Sequence, residues 1–216
     1  MEAFGGAMGF AFDSKTNEVF VADGSRNHRV AVVDANTGAI KRIWGAYGKQ
    51  PDDAAAAAPY NPDGDASKQF STVRCVKIAN DGTVYVCDAQ NDRIQVFKKD
   101  GSFVKEGTVA SKTLGAGSVW DIAFSRDAGQ KYMYVADGQN MKVHILDRAT
   151  LTELASFGDG GRQPGQFYAV HSIATDSKGN IYTTETYEGK RVQKFVYKGI
   201  GSVPRGYQGV LWPRKS

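Results

Sequence analysis

Four places in this sequence hold side chains whose chemistry does not suit simple packing. Runs of alternating apolar residues open at Met8-Gly9-Phe10-Ala11-Phe12, Arg74-Cys75-Val76-Lys77-Ile78, Trp120-Asp121-Ile122-Ala123-Phe124 and His171-Ser172-Ile173-Ala174-Thr175. Aligned, their entrance positions are Met8, Arg74, Trp120 and His171, followed by Gly9, Cys75, Asp121 and Ser172. Filler at such positions would be small or aliphatic. A guanidinium, an indole, an imidazole and a carboxylate stand there instead, and convergent polar groups in an apolar concavity are the default binding-site expectation. In that expectation His171 is a general base or metal ligand, Asp121 a metal ligand, and Arg74 a stabiliser of a developing oxyanion. Trp120 and Tyr168 would contact the substrate. The structural alternative is that His171 and Asp121 bond only each other and the backbone.

The elements that must position these groups recur along the chain. Val21-Ala22-Asp23-Gly24-Ser25-Arg26-Asn27-His28-Arg29-Val30 aligns with Val86-Cys87-Asp88-Ala89-Gln90-Asn91-Asp92-Arg93-Ile94. Val135-Ala136-Asp137-Gly138-Gln139-Asn140-Met141-Lys142-Val143 is a third copy, and Thr183-Thr184-Glu185-Thr186-Tyr187-Glu188-Gly189-Lys190-Arg191-Val192 a looser fourth. Each copy reads as four short strands; in the second they span 73–79, 83–88, 93–98 and 102–107. Tight connections such as Asn80-Asp81-Gly82 and Lys99-Asp100-Gly101 carry hairpin chemistry. Four antiparallel strands per repeat predict an all-β fold, a β-propeller of four-stranded blades, because one blade cannot bury both of its faces alone. The predicted blades are 7–48, 71–110, 118–158 and 169–212 of a single domain. The acids Asp23, Asp88, Asp137 and Glu185 are each followed by a base, Arg29, Arg93, Lys142 and Arg191. A pair repeated in every blade reads as a structural tie between the second and third strands.

The pattern Tyr-Val-x-Asp followed by Asn-x-Arg-Ile/Val resembles the NHL repeat. The connector Phe157-Gly158-Asp159-Gly160-Gly161-Arg162-Gln163-Pro164-Gly165-Gln166-Phe167 and the shorter Trp44-Gly45-Ala46-Tyr47-Gly48 resemble that family's connectors. Bacterial propellers of this style resemble gluconolactonase-like calcium hydrolases and peptidyl-hydroxyglycine amidating lyases. The first resemblance implies a metal-assisted hydrolase, with calcium, opening a lactone or small ester at the channel mouth. The second implies zinc held by three histidines at strand starts. His171 matches one such strand, but Arg74 and Trp120 stand where the others belong, so calcium is the preferred divalent metal. A non-catalytic reading is an NHL propeller that binds a protein or peptide through the rim aromatics Trp120, Tyr168 and Phe70. The family closes with six blades, so four blades imply either a smaller ring or a fragment that self-associates through open blade edges.

Composition narrows the classes. Lysine and arginine number 27 against 23 acids, a net charge of +4 with no basic cluster, which disfavours nucleic acid. No apolar run approaches the ~20 residues of a membrane span. Met1 to Gly6 has neither the basic nor the apolar region of a leader, so the chain reads as cytoplasmic as given, or periplasmic or secreted after leader removal. Nucleophile-elbow, phosphate-loop and dinucleotide motifs are absent. Cys75 and Cys87 lie where a hairpin about Asn80-Asp81-Gly82 would set them opposite each other. A cross-strand disulfide is open to them, and two reduced, packed thiols are the preferred reading. The insertion 49–70 is a long connector, and Asn61-Pro62-Asp63-Gly64-Asp65 within it reads as a turn rather than a calcium loop. Neither Asp121→Ala nor His171→Ala is expected to unfold the protein much.

Overall fold

A computed structural model describes residues 3–52, 54 and 59–201. The chain divides into two compact units, Met1–Trp120 and Asp121–Ser216. The first unit holds two antiparallel sheets, each in simple meander order. One is β1 (Ala7–Asp13), β2 (Glu18–Asp23), β3 (Arg29–Asp34) and β4 (Ile40–Trp44). The other is β5 (Val73–Ile78), β6 (Val84–Asp88), β7 (Arg93–Phe97) and β8 (Phe103–Thr108). The second unit repeats the plan with β9 (Asp121–Phe124), β10 (Tyr132–Asp137), β11 (Lys142–Asp147) and β12 (Glu153–Phe157), then β13 (Val170–Thr175), β14 (Ile181–Glu185) and β15 (Val192–Phe195). The outer strand expected to close the last blade near residue 212 lies outside the described residues, as do positions 53 and 55–58 of the insertion.

Three sheets have the four antiparallel strands expected of a blade, and the fourth has three among the described residues. Alternating β-branched and aromatic residues set the period of two, and glycines with positive φ close the hairpins, as Gly82 does at φ 86°. A less obvious constant precedes each third strand. His28, Asp92, Met141 and Lys190 all adopt left-handed φ, between 46° and 58°. In three of the blades the basic residue that follows this reversal crosses the hairpin to the acid of its repeat.

Within the first unit the core lies between the two sheets. Phe20, Val30 and Val32 pack against Val73, Val76, Val84 and Val86, all fully buried. Trp44 bridges Phe20 and Phe97 with ring centroids 6.1 and 5.9 Å away. A side chain at Gly24 would stand 2.1 Å from the Val73 carbonyl oxygen, so glycine is what lets the blades meet there. The second unit is built alike, with Tyr134, Ala136 and Val143 packed on Phe167, Val170 and Ile173. Each buried Phe or Val contributes roughly 1.5–3 kcal/mol relative to exposure.

The thiol reading requires correction. Cys75 and Cys87 are register partners, as the hairpin predicts, but they are joined in a disulfide with Cα atoms 4.9 Å apart. That separation lies within the span a disulfide bridges, and both sulfurs are buried on one face of the β5–β6 hairpin. The insertion behaves as expected around residue 61. Gly64 N–H donates to the Asn61 carbonyl at 3.2 Å, and Asp63 N–H to Asn61 Oδ1 at 3.1 Å, closing a turn. Lys112 pairs with Asp63, and the Tyr60 hydroxyl donates to the Ser111 carbonyl at 2.7 Å.

Candidate functional site

Arg74 and Trp120 belong to the first unit; Asp121, Tyr168 and His171 belong to the second. The Arg74 guanidinium, on β5, lies 4.0 Å from the Trp120 ring centroid. Trp120 is buried, and its Nε1–H donates to the Gly117 carbonyl at 2.7 Å. The indole is thereby fixed as a platform on which the half-buried cation rests, a pairing that gains from the ring quadrupole.

Asp121 begins β9 and is buried. Its Oδ1 accepts the Ile122 N–H at 2.9 Å and its Oδ2 the Ile173 N–H at 3.1 Å. The carboxylate therefore ties the first strands of two neighbouring blades. His171, on β13, is partly exposed, and its Nδ1 lies 3.2 Å from Ser172 Oγ. Tyr168 is partly exposed, and its backbone N–H donates to Glu185 Oε2 at 2.8 Å. Phe70 is fully buried and packs on Phe97 at 6.2 Å, which removes it from any rim. Its apolar bulk serves the core instead.

Calcium takes six to eight oxygens and structural zinc takes four ligands. Asp121 offers one carboxylate with N–H groups on both oxygens, and among the described residues no three His, Cys, Asp or Glu side chains gather to hold a metal ion.

The repeated acid–base pairs form in three blades. Asp23 meets Arg29 at 2.9 Å, Asp88 meets Arg93 at 2.8 Å and Glu185 meets Arg191 at 2.6 Å. In the third blade Asp137 has a histidine partner. Asp137 Oδ2 lies 3.0 Å from His144 Nε2, while Lys142 Nζ reaches the Gly158 carbonyl at 3.4 Å.

These pairs do more than join two strands. Asp23 Oδ1 accepts N–H groups from Gly5 and Gly6, Asp88 Oδ1 from Ser71, and Glu185 Oε2 from Tyr168. The arginines complete the grip on carbonyls of the same entering segments: Arg29 on Ala3, Arg93 on Ser67 and Gln69, Arg191 on Gly161. Asn27, Asn91 and Asn140 each donate to the acid of their own repeat at 2.7–2.8 Å. The sequence reading missed these asparagines as structural parts, although they recur three or four residues after each acid. Burial pushes the Asp88 carboxyl up, against the pull of Arg93, Asn91 and the Ser71 N–H.

No family model matches the chain. Hydrazine synthase of Kuenenia stuttgartiensis is 17% identical, with a TM-score of 0.59 over 88% of this chain and 45% of that one. The β-propeller domain of Myceliophteria thermophila Cps50 (Swd1) is 13% identical, with a TM-score of 0.57 over 87% and 52%. Streptogramin B lyase is 15% identical, with a TM-score of 0.55 over 89% and 55%. The fold is a β-propeller. At such identities the likeness extends to the fold alone. This chain spans about half the length of the solved structures it matches.

Proposed function

We propose that this chain is an NHL-type propeller module that binds a protein or peptide partner without catalysis, using the Arg74–Trp120 stack as its docking point. The observation that supports this reading is the guanidinium held 4.0 Å over a buried, hydrogen-bonded indole. A planar cation on a rigid aromatic base suits a carboxylate, whose two oxygens match the guanidinium fork. Asp121, engaged by backbone N–H groups, serves the frame in this reading rather than a metal.

Selection of displayed random peptides tests it. Acidic peptides enriched on the native protein should lose at least about tenfold in affinity on Arg74→Ala, a loss typical of a charge-assisted contact. Equal affinity for native protein and variant would overturn the assignment.

A lactonase reading has one observation in its favour: His171 is partly exposed, with a ring nitrogen 3.2 Å from Ser172 Oγ. A base needs such access to water or substrate. Lactone hydrolysis that disappears on His171→Ala would support it over the binding module.

A further inference from the structure

β9 and β13 run from Asp121 and His171 to the opposite end of their blades, where they open into the turns 125–131 and 176–180. Between these turns lies a cavity of about 440 Å³. That size is within the roughly 300–1,000 Å³ of small-molecule sites. Tyr132, Tyr134 and Tyr197 line it, together with Arg126, Lys131 and Lys178. Alternation along β10 places Tyr132 and Tyr134 on one face. Tyr134 is 8% exposed, whereas the three cations are exposed.

The charges do not cancel within the cavity. Asp127 is the one lining carboxylate, and it is turned to its own loop: Oδ1 accepts the Ser125 hydroxyl and Oδ2 the Lys131 N–H at 2.9 Å. Arg126 and Lys178 enter no ion pair among the described residues, and Lys131 Nζ lies 5.4 Å from the Tyr132 ring centroid. Both turns are braced. Arg148 donates to the Gln130 and Gly129 carbonyls at 2.7 and 2.9 Å. Asp176 accepts N–H groups from Lys178 and Asn180 at 2.9 and 3.0 Å and the Tyr182 hydroxyl at 3.1 Å. Tyr197 is positioned by its N–H on Asn180 Oδ1 at 3.0 Å, its ring lying on Gly179, whose φ of 82° suits glycine. A preformed site loses less entropy on binding.

We propose that this cavity is a binding site for a small aromatic anion, a ring bearing a phosphate or carboxylate. The ring stacks among the tyrosines and the acid group meets Arg126, Lys131 and Lys178. Phenyl phosphate is the probe, titrated into the full chain and followed by protein chemical shifts, with inorganic phosphate and cyclohexyl phosphate alongside. The expected result is saturable binding of phenyl phosphate, about tenfold or more tighter than either control. Arg126→Glu with Lys178→Glu, and separately Tyr197→Leu, should each weaken it about tenfold or more. Both sets of substitutions fall on exposed side chains, so the fold should persist and circular dichroism checks it. Absence of saturable binding would overturn the proposal. So would equal affinity of inorganic phosphate, or indifference to the charge reversals.

Discussion

His144 Nε2 lies 3.0 Å from Asp137 Oδ2 in the third blade, at the place where the other three blades use an arginine. Its Nδ1 lies 3.1 Å from Glu153 Oε2, so a buried imidazole stands between two carboxylates. Burial alone would lower its pKa, but the Asp137 bond and the charges of Asp137 and Glu153 outweigh it and hold the imidazole above its ordinary value.

A raised folded-state pKa stabilises the protein fully below the unfolded value, and that stabilisation fades as pH rises through the folded one. Thermal stability should therefore fall as pH rises above the ordinary histidine value of about 6.5. In His144→Gln this slope should flatten. Melting curves across that rise in pH check it, and an unchanged slope in the variant would refute the role of His144.

Arg29 is fully buried against Asp23 and also holds the Ala3 carbonyl. Arg29→Met leaves a buried carboxylate with its partner gone, which should cost about 3–5 kcal/mol. Asp23→Asn with Arg29→Met should recover part of that loss, because the unpaired charge is removed. Urea unfolding of both variants measures the difference.

The Cys75–Cys87 disulfide closes a loop across twelve positions of sequence. Its loss should destabilise the chain by roughly 2–3 kcal/mol on the loop-entropy account. Mass spectrometry after alkylation of the unfolded chain should find no free thiol unless reductant is present.

Asp121→Ala removes the acceptor of the buried Ile173 N–H and should cost about 1–3 kcal/mol. His171→Ala, at a partly exposed position, should cost less. Comparing the two variants by denaturant titration separates a structural aspartate from a dispensable one.

Met8, Phe10 and Phe12 share one face of β1 and are 42%, 73% and 55% exposed. Such a face favours association. Phe10→Lys with Phe12→Lys should convert any dimer to monomer in analytical ultracentrifugation. A native protein that sediments as a monomer at all concentrations would remove the oligomer from the account.

Sequence by itself determined the blades, their hairpins and their register. Cys75 opposite Cys87 and Asp88 opposite Arg93 both follow from strand alternation and turn length, which are local properties of the chain. Tertiary structure decided which atoms those side chains spend. Asp137 pairs with His144 at 3.0 Å, two residues beyond the Lys142 that strand register sets opposite it. Asp121 joins its strand to one fifty-two residues away by accepting the Ile173 N–H, a bond that spacing along the chain does not announce. Phe70 looked like a rim aromatic until two blades closed over it. Spacing along a chain specifies period and pairing, but a partner choice depends on which distant strand arrives alongside and how much water it excludes.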